Sequence, residues 1–514
     1  MTFSPEQSQL RLGIVGCGAM GRGIAQIAVA AGLEVLLCDS REGAAEEAKT
    51  FVIQMLERTV AKGRMTSQEL ERAQRDLRAV SGLEALADCD VVVEAIIEQL
   101  DVKRQLFTRL EELVRDDCVL ATNTSSLSVT LIGAGCRRPQ RLIGFHFFNP
   151  VPLMKLVEVV PGVRTDPPVV EAMLALGRRL GHTVVRASDT PGFLVNHAGR
   201  GFGTEASRIL SEGIAGVHDI DRVMTGSAGF RLGPFELMDL VGLDVTQAVM
   251  ESVYDQYYQE PRFRPSLSTR QLRDAGLLGR KSGQGFYCYN DGQQQLLPEP
   301  PVPTLDQLSG RPVWVSQRHP EAVATLRALL EQAGARLENG ERPSAQALCL
   351  VTPLYQDCTG AVLDEGLDPA RTLAVDTLFG LKGRRTLMCN PATATGYQQL
   401  ALALLGLDGV PVTLINDSPG FVAPRILAVI VNIACEIAQQ RIATPTDIDR
   451  AVELGLGYPQ GPLALGDRLG PSRLLELLEG LYRFYGDPRY RPSPWLQRRV
   501  RLGLSLTTEE FQHA

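Results

Sequence analysis

The sequence predicts an α/β protein in which a sheet-containing domain and a helical domain come first and both recur, the sheet domain in reduced form. Three observations carry this. Short apolar runs alternate with helix-period stretches from Arg11 to Ala187, the pattern of strands joined by covering helices. A glycine-rich turn, Gly16-Cys-Gly-Ala-Met-Gly21, joins the first run to the first helical stretch. Motifs between Asp189 and Pro265 return about 228 residues later, a spacing that marks duplication.

Length and composition set the frame. A chain of 514 residues is too long for one core and suggests about three or four domains. Its 44% hydrophobic and 22% charged residues are those of a globular protein. A net charge of −7 comes with no basic stripe to neutralise phosphates, so no nucleic-acid partner is expected. No apolar run reaches the roughly 20 residues of a membrane helix, so no membrane partner is expected either. Met1 to Leu10 is polar and lacks the order of a signal peptide. The ten cysteines are scattered, without a Cys-x-x-Cys pair. They read as buried thiols of a cytoplasmic protein, and no metal site is expected.

The first strand, Arg11 to Val15, leads into the glycine turn and the helical run Ile24 to Ala31. In that setting Gly16 makes a tight turn, Gly18 lets a pyrophosphate approach the backbone, and Gly21 packs helix on strand, as in a Rossmann domain. The helix N-terminus then presents unpaired N–H groups to phosphate. The second strand, Glu34 to Cys38, ends at Asp39, 18 residues after Gly21. A carboxylate there accepts from both ribose hydroxyls and repels a 2′-phosphate, so NAD is expected over NADP. Five more strands follow: Asp90 to Ala95, Cys118 to Thr122, Arg141 to Phe145, Lys155 to Val160 and Thr183 to Ala187. A parallel sheet covered on both faces is implied, with ligands beyond the carboxyl ends of its strands. Glu94 to Glu98, Asn123-Thr-Ser-Ser126 and His146 to Asn149 each follow a strand and should converge there. Taken alone, Asn-Thr-Ser-Ser is a helix N-cap; its place after a central strand favours function.

The most telling stretch runs from His146 to Glu158, a lone imidazole at the end of an apolar run and a carboxylate twelve residues on. Removing a hydride from an alcohol also requires the hydroxyl proton to leave, and imidazole, with an ordinary pKa near 6.5, suits that task. His182, His197, His218, His319 and His513 lack the strand-end setting and read as satisfied or solvated side chains. Glu158 lies in an apolar strand, so it either faces water or has a partner.

With these pieces in order the chain resembles the L-3-hydroxyacyl-CoA dehydrogenase family. The matching residues are Gly16 to Gly21, Asn123 to Ser126, His146-Phe-Phe-Asn-Pro150, Lys155-Leu-Val-Glu158, Asp189-Thr-Pro-Gly-Phe193 with Asn196, Gly233-Pro-Phe-Glu-Leu-Met-Asp239, and Lys281-Ser-Gly-Gln-Gly-Phe286. They span residues 9 to 290. The resemblance implies NAD-dependent oxidation of an (S)-3-hydroxyacyl-CoA to the 3-oxoacyl-CoA, as in β-oxidation of fatty acids. It implies His146 as base and Glu158 as the acid that fixes its tautomer, by the logic of a serine-protease triad. Ser125 and Asn196 would hold the substrate, and Asp39, Glu98, Lys103, Ser125, Asn149 and Lys281 would contact NAD. Lys62 would meet a CoA phosphate. Met55 stands where the mammalian enzyme has a serine that touches CoA, which leaves the adenine end undefined. The length and the tail Asp487-Pro-Arg-Tyr-Arg-Pro492 resemble the two-copy bacterial members associated with phenylacetate breakdown, which act on 3-hydroxyadipyl-CoA. A 3-hydroxybutyryl-CoA substrate, a hydroxy acid not joined to CoA, and a non-catalytic nucleotide-binding scaffold are the competing readings.

The second half repeats the first. Asp189-Thr-Pro-Gly-Phe193 recurs as Asp417-Ser-Pro-Gly-Phe421, and Gly233 to Asp239 recurs as Gly461-Pro-Leu-Ala-Leu-Gly-Asp467, both at an offset of 228. This divides the chain into a Rossmann domain (9–187), a helical domain (188–292), a reduced Rossmann-like unit (311–410) and a second helical copy (411–508). A Gln/Pro-rich linker is read at Gln293 to Pro303. The reduced unit has strands near Pro312 to Val315, Ala347 to Thr352, Leu373 to Asp376, Arg385 to Cys389 and Val412 to Ile415, and it lacks a glycine loop. Aligning Asn390-Pro391 with Asn149-Pro150 puts Leu387 in the base position, and Pro424 stands where Asn196 stood. The second half is therefore expected to be structural. Family members pack helical domains across a dimer, so the chain is expected to form a homodimer or an intramolecular pseudo-dimer. Arg231, where the second copy has Pro459, is either a surface residue replacing a turn proline or a partner for a distal carboxylate on the acyl chain.

Overall fold

The computed structural model describes residues 4–7, 9–304 and 310–510. His513 and the first three residues of the polar N-terminal stretch lie outside them. Two compact units emerge: the described residues up to His197 fold with Gln440–Leu456, and Ala198–Gln439 fold with the described residues from Gly457 on.

In the first unit, eight strands form one sheet: β1 (Arg11–Val15), β2 (Glu34–Cys38), β3 (Leu77–Val80), β4 (Val91–Glu94), β5 (Val119–Thr122), β6 (Leu142–Phe147), β7 (Leu156–Pro161) and β8 (Thr183–Arg186). Their order is β3-β2-β1-β4-β5-β6-β7-β8. The chain leaves β1 toward β2 on one side and returns to β4 on the other, so the glycine turn after β1 lies at the switch point where such sheets bind ligands. Leu12, Ile14, Ile24, Ala28, Val35, Val91 and Val93 belong to the core cluster beneath it.

Two expectations about this sheet are corrected. It is not wholly parallel, because β6 and β7 run antiparallel. Only eight residues join Phe147 to Leu156, too few for the crossover that parallel neighbours need. His146 also lies on β6 rather than after it. The strand β3 escapes sequence reading because it is an edge strand with only Leu77 buried, so it lacks an apolar run.

The second unit holds the hairpin β9 (Tyr289–Asn290) and β10 (Gln293–Gln294), the latter at the start of the stretch read as linker. A six-stranded sheet follows, made of β11 (Val313–Val315), β12 (Leu337–Glu338), β13 (Leu348–Val351), β14 (Thr372–Val375), β15 (Arg385–Cys389) and β16 (Val412–Ile415). It is ordered β12-β11-β13-β14-β15-β16, and β14 and β15 are its antiparallel pair. The helix after β11, Pro320–Gln332, opens on proline with His319 at its N-cap, where the first sheet has its glycine turn.

The two helical copies meet within this second unit. Helix Arg200–Ser211 packs along helix Ala423–Gln439, its counterpart at the offset of 228, and the short turns Pro261–Phe263 and Pro488–Tyr490 pack on one another. Between the helices sits a buried charge cluster. Arg425, with no exposed surface, donates to Glu205 Oε1 at 2.6 Å, Glu212 Oε2 at 2.9 Å, and the hydroxyls of Tyr485 and Tyr490, both at 2.8 Å. Arg489 donates to the other oxygen of Glu205 at 3.2 Å.

Candidate active site

The glycine turn meets the geometric needs of a dinucleotide. Gly16 has φ +99°, and a Cβ there would lie 2.5 Å from Ala95 O; a Cβ on Gly21 would lie 1.8 Å from Gly16 O. These two positions exclude any side chain, whereas a Cβ on Gly18 would meet nothing within 4 Å. The helix Ala19–Ala30 begins there without a side-chain cap, which leaves its end suited to an anion. Asp39 Oδ2 accepts from the Cys17 N–H at 2.7 Å, so the carboxylate at the end of β2 is tied to the turn. An open glycine face, an uncapped helix end and this acid fit the pyrophosphate and ribose of NAD.

Beyond β4 and β5, Glu98 gathers the next group. One of its oxygens accepts from Thr124 Oγ1 at 2.6 Å, the Ser125 N–H at 2.9 Å and the Ser126 N–H at 3.0 Å, with Ser125 Oγ 3.5 Å away. Lys103 is buried, its ammonium 2.5 Å from Glu94 and 3.2 Å from Glu98. Burial by itself would raise the Glu98 pKa, but the Lys103 ammonium and these donors outweigh it and bring it down to about 2. Glu94, fully buried, also accepts from Thr122 Oγ1 at 2.6 Å and the Ile96 N–H at 2.8 Å. Glu94 belongs to the stretch Glu94 to Glu98 expected to converge at the strand ends; its own signal is an acid closing the run Val91-Val-Val-Glu94 with a lysine nine residues on.

His146 and Glu158 are directly opposite across the β6–β7 pair, so their side chains stand on the same face. Nδ1 of His146 lies 2.6 Å from Glu158 Oε2. The other carboxylate oxygen accepts from the N–H groups of Leu194 and Val195 at 3.0 and 2.9 Å. Glu158 has no exposed surface and His146 is 5% exposed. An acid buried in this way needs partners, and three are present. The imidazole packs between the rings of Phe148 and Phe193, at centroid distances of 4.5 and 5.7 Å. Asn123 Oδ1 accepts from the Phe147 N–H at 2.9 Å and pins the strand beside the histidine. The Leu194 and Val195 donors and the Asn123 brace were not legible from the sequence. This arrangement commits Nδ1 to a carboxylate and leaves Nε2 for proton transfer.

Of the other site residues named from the sequence, Asn149 and Lys62 are exposed and Asn196 is half-buried, all in the first unit. Lys281 and Arg231 belong to the second unit; Arg231 is exposed, and Lys281 is paired with Asp244. His182 has its two ring nitrogens 3.1 Å from the carbonyls of Leu180 and Val151, so either neutral tautomer donates to one of them. The duplicated acid of the Asp-x-Pro-Gly-Phe motif is structural in both copies. Asp189 accepts from the Val129 and Thr130 N–H groups, and Asp417 from those of Cys358 and Thr359.

The second sheet corrects the assignment of Leu387. That residue lies on β15, whereas β14 and β15 together match β6 and β7 as the antiparallel pair. Val375 pairs with Leu387, and the Asp376 N–H donates to Thr386 O at 3.0 Å. The offset of 228 carries Glu158 to Thr386, so the base position falls on Asp376. Antiparallel register, invisible in an alignment anchored on Asn390-Pro391, accounts for the difference. Asp376 is buried, and burial pushes its pKa up to about 7 against one N–H bond from Leu378. A raised carboxyl pKa contributes stability below its unfolded value near 4 and loses it as pH rises through about 7. Asp376→Asn is therefore expected to melt higher than the native chain at pH 8 but not at pH 4. Equal shifts at both pH values would remove the argument.

A sheet with a glycine turn at its switch point and a buried histidine–carboxylate pair define the class, a nicotinamide-dependent oxidoreductase. The comparisons with known proteins narrow it. The 3-hydroxyacyl-CoA dehydrogenase NAD-binding domain matches residues 11–190, and the C-terminal domain of the same enzymes matches 192–289 and again 420–510. The chain belongs to the 3-hydroxyacyl-CoA dehydrogenase family, and it is an NAD-dependent 3-hydroxyacyl-CoA dehydrogenase. The 3-hydroxyadipyl-CoA dehydrogenase of Escherichia coli (strain K12) is 38% identical over 489 residues, 95% of this chain and 97% of that protein. The mitochondrial hydroxyacyl-coenzyme A dehydrogenase of Sus scrofa is 39% identical over 283 residues, 54% of this chain and 90% of its own length. A crystal structure of 3-hydroxybutyryl-CoA dehydrogenase from Escherichia coli K12 superposes with a TM-score of 0.84 at 34% identity, covering 96% of this chain and 99% of that one.

Proposed function

We propose that this dehydrogenase acts on 3-hydroxyadipyl-CoA in phenylacetate breakdown, through one active site per chain centred on His146. The observation that carries the base assignment is the buried pair with Nδ1 2.6 Å from Glu158. NAD supplies the hydride acceptor. His146 takes the hydroxyl proton on Nε2, since Nδ1 is committed, and Glu158 stabilises the imidazolium that forms. Ser125 and Asn196 hold the reacting end of the substrate. Gly16, Gly18, Gly21, Asp39, Glu98 and Asn149 hold the dinucleotide, with Lys103 acting through Glu98. Lys62 as a CoA-phosphate contact, Lys281 as an NAD contact and Arg231 as an acyl contact rest on the family resemblance and on side-chain chemistry.

The adipyl substrate is supported by the similarity to the E. coli 3-hydroxyadipyl-CoA dehydrogenase along nearly the whole chain. A 3-hydroxybutyryl-CoA substrate is the second reading, favoured by the name of the superposed crystal structure. Arg231 separates them. A guanidinium pairing with a distal carboxylate loses that partner in Arg231→Ala, and the KM for 3-hydroxyadipyl-CoA is expected to rise roughly tenfold or more. 3-Hydroxybutyryl-CoA, which has no distal carboxylate, should change little. Equal losses on both substrates would defeat the role given to Arg231, and an unmodified chain that prefers hydroxybutyryl-CoA would defeat the adipyl reading.

We propose a cytoplasmic location for this enzyme. Its ten cysteines form no disulfide, and no helix among the described residues is long and apolar enough to cross a membrane. The packing of helix Arg200–Ser211 on Ala423–Gln439 supports an intramolecular pseudo-dimer in place of a helical interface between chains.

A further inference from the structure

Residues 440–456 belong by sequence to the second helical copy, yet they fold with the first sheet. The Ser188 N–H donates to Ile442 O at 2.8 Å, and helix Pro445–Leu456 packs on β7 and β8. The same exchange occurs in the other direction, where the Asn416 N–H donates to Ile214 O at 2.9 Å, each residue displaced by the offset of 228. We infer that this borrowed helix is a working part of the catalytic centre and that Gly455 is a positioning residue for the His146–Glu158 pair. The inference rests on the reading of His146 as base.

A Cβ on Gly455 would lie 2.9 Å from Val195 Cγ1 and 3.0 Å from Leu156 Cδ2. Both neighbours serve Glu158. Val195 provides one of its two backbone donors, at 2.9 Å, and Leu156 precedes it by two residues on β7. Valine is stiff at χ1, so an added methyl group displaces its backbone more readily than its side chain. Glycine is a poor helix residue, and here it supplies room. The half without a base makes the opposite choice. There the counterpart of Gly455 is Ser227, which donates to Arg384 O at 2.7 Å, and Arg384 is the counterpart of Leu156. A side chain is accommodated at the edge without a base and absent at the edge that carries one.

The test compares full-length Gly455→Ala, Val195→Ala, the double variant and His146→Ala, each checked for native circular dichroism. Gly455→Ala is expected to lower kcat about tenfold, as a small misplacement of a catalytic group does. It should also displace the limb of the kcat/KM profile that reports the base, while KM for NAD stays unchanged. The double variant, in which the methyl group has room, is expected to recover most of the loss relative to Val195→Ala. Native kcat and pH profile in folded Gly455→Ala, or a loss that Val195→Ala fails to relieve, overturns the inference. If Gly455→Ala does not fold, the double variant decides alone: activity close to that of Val195→Ala upholds the inference, and depressed activity rejects it. If His146→Ala keeps full turnover, the base assignment itself fails; if it is inactive while Gly455→Ala is native, only the role of Gly455 falls.

Discussion

His146→Ala is expected to reduce kcat by about 10²–10⁴-fold, the usual worth of a positioned general base. A thousandfold loss corresponds to about 4 kcal/mol of transition-state stabilisation. NAD binding should be retained, because the glycine turn and Asp39 follow β1 and β2 while His146 sits on β6. The fold should survive too, with Glu158 held by its two backbone donors. Measuring NAD affinity by fluorescence quenching alongside turnover separates the two effects. Loss of both together would mean that the substitution damaged the nucleotide site, and unchanged turnover would remove His146 from the mechanism.

The second large effect is on stability. Arg425→Met deletes the cation that five oxygen-bearing side chains surround between the helical copies, and it leaves Glu205 buried with weaker partners. Removing one partner of a buried ion pair costs about 3–5 kcal/mol, because the remaining charge loses its compensation. The expected result is a clear fall in the denaturant midpoint. Arg425→Met combined with Glu205→Leu should recover a large part of it, since apolar pairs of similar volume replace buried ion pairs well. A single variant within about 1 kcal/mol of the native chain, the range of exposed pairs, would show that the cluster contributes little.

Reading the sequence located both partners of the buried His146–Glu158 pair but not their supports. His146 and Glu158 stood out because an acid and a base in apolar strands are rare and costly. Leu194 and Val195 act through backbone N–H groups, which carry no residue signature. Glu205 and Arg425 are 220 residues apart, and nothing in either local pattern announces the other. Leu387 was misassigned for a related reason: Asn-Pro is a local motif, whereas the match of β14 to β6 is a property of sheet order. The fold class was legible because a glycine turn between strand and helix, and repeats at fixed offset, are written in local residue order.

The sequence by itself determined the chemistry available to this protein: a dinucleotide turn with an acid at the next strand end, one imidazole with a carboxylate partner, and a second half without a histidine to match. These follow from residue type and spacing, which covalent order fixes. Tertiary structure alone decided that His146 and Glu158 face each other across an antiparallel pair, that Asp376 occupies the corresponding place in the second sheet, and that residues 440–456 close the first sheet. Each of these depends on which strand or helix lies beside which. Pairing and packing choose that among distant segments by burial and hydrogen-bond satisfaction, and neither leaves a trace in neighbouring residues.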